Sequence, residues 1–124
     1  MEYTGYSVAA KTIDPSDELL PLTPAVFFIL FALANGEKHG YAIMKEVSVL
    51  SDGKFRMGAG TLYTTIQRLL ELRLIEEGKA DDEERRRYYR LSREGKLIFK
   101  AELSRLDKVL RLAVDHRQVP LPGV

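Results

Sequence analysis

The longest apolar run of the chain extends from Ala25 to Ala34 and predicts the first helix. Thr23-Pro24 comes directly before this run and Asn35-Gly36 directly after it, and these pairs are typical of a helix start and a helix stop. A membrane-spanning helix needs about 20 apolar residues. The run therefore predicts a short helix that is buried on most sides and does not cross a membrane.

Two stretches after this run have the spacing of amphipathic helices. The first is predicted from about Gly40 to Leu50, because Ile43, Val47 and Leu50 fall on one stripe. The second is predicted from about Ala59 to Arg73. Its polar face carries hydroxyl, amide and guanidinium groups, which can contact phosphates and base edges but also occur on an ordinary solvated face. The residues of this face are Tyr63, Thr64, Gln67 and Arg68.

The hydrophobic period changes after the third helix and predicts a β-hairpin. One strand is expected from Leu74 to Ala80 and the other from Arg85 to Leu91. The acidic residues Asp81 to Glu84 would form the exposed tip between them. A hairpin directly after an amphipathic helix can form a wing, beside which a phosphate backbone can lie. The side chains expected to point inward are Ile75, Tyr89 and Leu91.

A long final helix is predicted from the cap residue Ser92 to about Val114, within a C-terminal unit of residues 92–118. It carries apolar residues at spacings of 4, 3, 4 and 3, which is a short heptad seam. The seam is longer than the hairpin and three short helices need for cover, so we expect it to pair two copies of the chain. The alternative is that it folds back on its own core. The seam residues are Phe99, Leu103, Leu106, Leu110 and Ala113.

The two ends of the chain lack sustained periodicity. Residues 1–20 contain Gly5 and Asp14-Pro15 and predict an extension that is partly ordered at best, and residues 119–124 predict a non-helical tail. Residues 21–91 hold the three helices and the hairpin. This order predicts a mainly α fold with a small β-hairpin (α+β). It is the order of a winged helix-turn-helix that is followed by a long C-terminal dimerisation helix.

The charge of the chain is unevenly distributed. The net charge of +1, from 19 basic and 18 acidic residues, does not by itself indicate a nucleic-acid-binding protein. From Lys54 to Arg73, however, there are four basic residues and one acidic residue, which gives +3. Arg85, Arg86 and Arg87 follow on the second strand of the predicted hairpin. The pattern therefore predicts a local basic surface on a nearly neutral protein.

The residues that usually carry catalysis or bind transition metals are scarce. The chain has no cysteine and only two histidines, His39 and His116, so we predict no disulfide and no metal site. His39 stands at the start of the second helix and is expected to cap or to pack. The segment Asp81 to Glu84 lacks the ligand spacing and glycine of an EF-hand loop. Because no nucleophile and base form a recognisable pair, we expect no enzyme activity, and we also expect no cofactor. The absence of cysteine and of a membrane-spanning run leads us to expect a cytoplasmic protein.

Three elements of the sequence resemble the PadR family of bacterial and archaeal transcriptional regulators. They are His39-Gly40-Tyr41, Gly60-Thr61-Leu62-Tyr63, and Arg86-Arg87-Tyr88-Tyr89-Arg90-Leu91 followed by Glu94-Gly95. They stand at spacings like those of the family, and the resemblance covers roughly residues 21–113. The short last helix is similar to that of the compact subgroup of the family.

The resemblance implies a homodimer that represses a palindromic promoter site and is released by a ligand or another signal. It also implies that the third helix reads the major groove of double-stranded DNA while the second helix and the wing contact the backbone. A small-molecule effector would suit such a regulator, and the sequence does not identify it. The alternative is a winged-helix module that binds proteins instead of DNA. The residues implied in DNA contact are Tyr41, Lys45, Thr61, Tyr63, Thr64, Arg68, Arg86 and Arg87, and the polar face of the third helix adds Gln67.

Overall fold

The computed structural model describes residues 18–79 and 86–116. The predictions for the extension before residue 18, for the acidic hairpin tip with Arg85, and for the tail lie outside these residues. Within them, the prediction of a mainly α fold with a small β element is confirmed. The elements are α1 (Pro24–Ala34), β1 (Lys38–His39), α2 (Gly40–Leu50), α3 (Ala59–Glu71), β2 (Ile75–Glu77), β3 (Tyr88–Leu91) and α4 (Arg93–Asp115).

The helix ends follow the capping residues of the sequence. The hydroxyl of Thr23 accepts a hydrogen bond from the Val26 N–H at 3.3 Å, and Ser92 accepts one from the Gly95 N–H at 2.9 Å. Gly36, just beyond α1, has a φ of +133°, a conformation that glycine adopts without strain. Both predicted caps and the predicted stop of α1 are therefore confirmed.

The turn after α3 begins two residues earlier than predicted. The helix ends at Glu71, and Arg73 adopts a left-handed φ of +61°. The Leu74 N–H then donates to the Leu69 carbonyl at 3.0 Å, which closes the turn and directs the chain into β2. A left-handed residue at this position ends the helix even though arginine itself favours helices.

The β element is a three-stranded antiparallel sheet with the order β1-β3-β2, and not only the predicted hairpin. Lys38 pairs with Tyr89, and Ile75 pairs with Leu91. The strands β2 and β3 are shorter than predicted. The extra strand β1 has only two residues, so it has no alternation that the hydrophobic pattern could reveal.

The core lies where α1 is surrounded by the other elements. Its residues are Ile29, Leu30, Ala32, Leu33, Ile43, Val47, Leu62, Ile66, Leu69, Leu74, Ile75, Tyr89, Leu91, Ile98 and Phe99. Phe99, which the sequence placed in the dimerisation seam, is only 8% exposed. Its ring lies 5.6 Å from those of Phe27 and Phe31 on α1. Phe99 therefore belongs to the core of the protomer, and the seam is exposed only from Leu103 onwards.

A buried carboxylate joins α4 to the segment before α1. Glu102 is 2% exposed and accepts a hydrogen bond from the Leu22 N–H at 3.0 Å. The guanidinium of Arg105 donates twice to the same carboxylate, at 2.6 and 3.1 Å. These hydrogen bonds from Arg105 are the main reason that the pKa of Glu102 is lowered, with a smaller contribution from Leu22. The charge is therefore compensated, although it is removed from water.

Candidate nucleic-acid interface

A groove of about 450 Å³ lies where the start of α2, one side of α3 and the strand β3 meet. These three pieces belong to the three sequence elements that carry the family resemblance. The groove mixes cationic, aromatic and imidazole groups and is open to solvent. Its lining residues are His39, Gly40, Tyr41, Tyr63, Arg86, Arg87 and Tyr89.

The residue pair His39-Gly40 starts α2 and fixes one wall of the groove. The N–H of Ala42 donates to His39 Nδ1 at 3.2 Å, so the imidazole is the N-cap of α2, as the sequence predicted. The ring also packs edge-on against Tyr88, with centroids 5.4 Å apart. Gly40 is buried, and a Cβ at this position would collide with the phenol of Tyr63. The absence of a side chain at Gly40 therefore leaves room for the phenol of Tyr63 to pack against the start of α2.

Tyr41 and Lys45 form a pair on the solvent side of α2. Tyr41 is 61% exposed, and Lys45 Nζ lies 5.5 Å from the centroid of its ring. A cation over an aromatic face is attracted by the ring electrons. Both side chains are thus presented next to the groove, in a place where a phosphate could reach them.

The predicted polar face of α3 is exposed, but its side chains point in more than one direction. Tyr63 leans into the groove next to Gly40. Arg68 lies on another side of the helix and lines a second depression, of about 310 Å³, near the start of α1. The helix begins after Gly58, which has no side chain to cap it, so its first N–H groups can donate hydrogen bonds to an anion. Thr64 and Gln67 are exposed between these two directions, while Thr61, seven residues before Arg68, is exposed on the same side of the helix as Arg68.

The arginines of the wing differ in their partners. Arg86 Nη1 lies 3.2 Å from His39 Nε2 at the edge of the groove. Arg87 donates to Glu77 on the neighbouring strand at 3.2 Å, although its side chain is 70% exposed. Arg90 is held from two sides, by Glu76 at 3.0 Å and by Glu37 at 3.5 Å. Hydrogen bonding to Glu76 raises the pKa of Arg90. Arg90 therefore ties the three strands together, while Arg86 and Arg87 are presented to solvent.

Tyr89 forms the floor of the groove. It is buried, and this burial, together with the nearby carboxylate of Glu77, raises the pKa of its phenol. The hydroxyl therefore remains protonated across the neutral range and can donate a hydrogen bond.

Beyond the wing, α4 presents an apolar strip that no other described element covers. Leu103, Leu106 and Leu110 are 45%, 40% and 37% exposed, and Ala113 is half-buried. Val109 and Leu112, which the heptad spacing did not include, are 51% and 49% exposed. The strip is therefore broader than the predicted seam.

Sequence reasoning also missed several charged neighbours of the site. The carboxylates of Glu37, Glu76 and Glu77 are brought to the wing arginines by the pairing of the strands. Only the register of the sheet could have revealed them.

In residues 18–79 and 86–116, no three histidine, aspartate or glutamate residues are grouped so that they could hold a metal ion. In the same two ranges, no helix is both long and apolar enough to span a membrane.

Three helices, a strand-based wing beside the third of them, and a long helix after the wing define a winged helix-turn-helix protein. The sequence profile of the transcriptional regulator PadR-like family matches residues 29–101. The chain therefore belongs to the PadR-like family of transcriptional regulators.

Solved structures of other proteins share this fold. A PadR family transcription regulator from Clostridium difficile is 23% identical with a TM-score of 0.65, over 76% of this chain and 98% of that one. RosR from H. salinarum is 27% identical with a TM-score of 0.59, over 81% of this chain and 87% of that one. An uncharacterised protein from Lysinibacillus sphaericus is 35% identical over 82 residues, which are 64% of this chain and 72% of that protein.

Proposed function

We propose that this protein is a sequence-specific DNA-binding regulator that acts in the cytoplasm as a homodimeric repressor. The observation that carries the proposal is the groove in which the start of α2, the exposed side of α3 and the wing arginines Arg86 and Arg87 meet. Recognition helices of this class enter the major groove, and phosphate contacts around them fix their position. The groove supplies such contacts directly beside α3.

The residues divide into two roles in this proposal. Thr64 and Gln67 read base edges from the exposed side of α3 between its two flanks, and Thr61 does so from the exposed first turn of the helix. Arg68 contacts the DNA from the flank near α1. The backbone contacts come from Tyr41, Lys45, Tyr63, Arg86 and Arg87, which surround the groove.

Dimerisation follows from the uncovered strip on α4. A monomer rarely exposes a continuous apolar patch of this kind, and a second copy of the strip would cover it. In this proposal α4 is the dimerisation helix of a C-terminal unit of residues 92–118, and residues 21–91 are the DNA-binding unit. Two recognition helices about 34 Å apart would read the half-sites of a palindrome one helical turn apart. A ligand or another signal would release the repressor, and the chemistry of this effector stays unidentified.

A second candidate function is that of a winged-helix module that binds another protein. The observation in its favour is the neutralisation of the wing, because Arg87 and Arg90 are paired with carboxylates. A titration with duplex DNA decides between the two functions. A protein-binding module would show no preference for any duplex.

The test is a fluorescence anisotropy titration with the DNA upstream of the gene for this protein, across a salt series and against a scrambled duplex. We expect tight binding of one dimer per site and weak binding of the scrambled duplex. Arg86→Ala and Arg87→Ala should each lower the salt slope by about 1 per lost contact, and thus by about 2 in a dimer. Arg111→Ala is the matched control, since it removes an exposed arginine from α4. Unchanged binding by both wing variants would contradict the assignment of the wing.

A further inference from the structure

The depression near the start of α1 lies on the side of α3 that carries Arg68. Its volume of about 310 Å³ is at the lower end of the range for small-molecule sites. It is bounded by the segment before α1, the first turn of α1, α3 and the turn before β2. Leu69 and Leu74 line it and are 0% and 4% exposed, so both belong to the core of the protomer. The depression therefore offers a small molecule an apolar floor.

Among the residues that line the depression, Arg68 is the charged one, and Thr23 and Thr65 are the other polar ones. Both hydroxyls have backbone partners. Thr23 accepts from the Val26 N–H at 3.3 Å, and Thr65 donates to the carbonyl one turn before it at 2.7 Å. Nowhere in the described part of the chain does a hydrogen bond or an ion pair engage the guanidinium of Arg68. A charged group is thus left without a partner beside an apolar floor.

This combination selects one class of ligand. An apolar body would cover the floor and remove it from water. A carboxylate or another oxyanion at one end of the ligand would pair with the guanidinium, whose forked donors fit such a group. A cation would be repelled, and a neutral apolar molecule would cover the guanidinium without giving it a partner. Charge complementarity therefore favours a small organic anion with an apolar body.

The depression is also placed where a ligand could affect DNA binding. Arg68 is one of the residues to which we assign a DNA contact. An anion that holds the guanidinium against the depression removes the charge and the donors that a phosphate would use. Leu22 lines the depression too, and its N–H donates to the buried Glu102 of α4 at 3.0 Å. The wall of the depression is therefore tied to the helix that we assign to dimerisation.

We propose that this depression is the effector site, and that it binds a small organic anion whose charged group pairs with Arg68. The bound anion competes with DNA for this side chain and so releases the repressor. The release rests on the proposed function, whereas the binding of the anion can be measured without DNA.

The first test is a titration of the protein with octanoate, followed through its methyl signals by nuclear magnetic resonance. Octanamide is the matched probe, since it has the same apolar chain and no charge. Octanoate should shift the signals of Leu69, Leu72 and Leu74, which line the depression, and leave those of Leu106 and Leu110 on α4 unchanged. Because the carboxylate pairs with a guanidinium, octanoate should bind about tenfold more tightly than octanamide.

The second test removes the charge with Arg68→Gln. This variant should bind octanoate only as tightly as octanamide, while its affinity for octanamide should stay close to that of the wild type. A merely structural role of Arg68 would instead weaken both ligands and keep the tenfold preference. Arg111→Gln is the matched control, since it removes an exposed arginine from α4, and it should keep the preference.

The third test adds octanoate to the anisotropy titration with DNA at constant ionic strength. Octanoate should weaken binding of the operator by the wild type, and octanamide at the same concentration should have little effect. Arg68→Gln should bind the operator more weakly than the wild type and should no longer respond to octanoate. A response of equal size in Arg68→Gln would overturn the competition for this side chain.

The outcomes separate this inference from the proposed function. If the wild type binds its operator and octanoate shifts none of the signals from the depression, the inference fails and the proposed function stands. If octanoate shifts the signals of Leu106 and Leu110 instead, the ligand binds to α4 and the assignment of the depression is overturned. If octanoate binds in the depression and the wild type prefers no duplex, the anion site stands, and the effector role fails together with the proposed function.

Discussion

Gly95 provides the most direct test of how α4 is attached to the winged domain. It lies in the first turn of α4, and a Cβ at this position would overlap the carbonyl oxygen of Leu74. The same oxygen accepts a hydrogen bond from the Ser92 N–H at 3.0 Å, so it cannot move away freely. Gly60 is the matched control in the first turn of α3. Among the described residues, no atom comes within 4 Å of the place a Cβ would take at Gly60.

The two glycine-to-alanine changes should alter the free energy of unfolding in opposite directions. Alanine favours a helix over glycine by about 1 kcal/mol. At Gly60 this is the main effect, so Gly60→Ala should stabilise the protein by about 0.5–1 kcal/mol. At Gly95 the overlap with a backbone atom costs about 1–3 kcal/mol, and displacement of α4 would cost about 1 kcal/mol more for the hydrogen bond from Ser92. We therefore expect a net loss of about 2 kcal/mol in Gly95→Ala.

The measurement is thermal unfolding of both variants and the wild type, followed by circular dichroism at one protein concentration, because the proposed dimer would melt in a concentration-dependent way. A loss of about 2 kcal/mol corresponds to a Tm lower by about 8 °C for a domain of this size. Gly60→Ala should melt slightly above the wild type. If Gly95→Ala melts at or above the wild type, the close contact between α4 and the turn before β2 does not exist, and the reasoning is refuted.

Two further predictions concern α4. Glu102→Ala should lower stability by about 2 kcal/mol at pH 7, because the Leu22 N–H and Arg105 lose their acceptor. The pKa of Glu102 is lowered in the folded protein, so the loss of stability in Glu102→Ala should be complete at a pH above the unfolded pKa of about 4.3 and should shrink as the pH falls below it. Urea unfolding of the variant and the wild type at pH 7 and pH 3.5 checks this prediction. An equal loss of stability at both pH values would contradict it. Leu106→Asp should convert the proposed dimer to monomers in analytical ultracentrifugation, while Lys108→Asp, on the other side of α4, should leave it intact.

The sequence predicts the helices well because their ends depend on local chemistry. Thr23 and Ser92 accept hydrogen bonds from their own first turns, so the residues at the caps carry the information themselves. The end of α2 is likewise predictable, because Asp52 and Gly53 follow it and are residue types that often form the turn after a helix. Both residues take positive φ values there. The exposure of the polar face of α3 follows from the same helical period.

The periodicity of the sequence could not show which partner covers each turn of a helix. The heptad spacing of α4 begins at Phe99 and continues to Ala113. Of these seam residues, Phe99 is the one that α1 covers, through Phe27 and Phe31. Heptad spacing defines a face and does not distinguish a neighbour in the same chain from a second copy. The direction of Arg68, in contrast, follows from the helical period, because five residues separate it from Tyr63 and turn the helix by about 140°. Only the depression that Arg68 lines near the start of α1 could not be predicted.

The motifs of the family resemblance gain a physical meaning from the contacts between them. Gly40 has no side chain where the phenol of Tyr63 packs, so the first motif makes room for the second. His39 of the first motif also lies against Arg86 of the third. The three motifs are therefore parts of one groove, and a change in one should alter the DNA contacts that we assign to the others. For this reason the effects of single substitutions around the groove should not be additive, whereas a change at Gly95, which contacts the turn before β2, should act on stability.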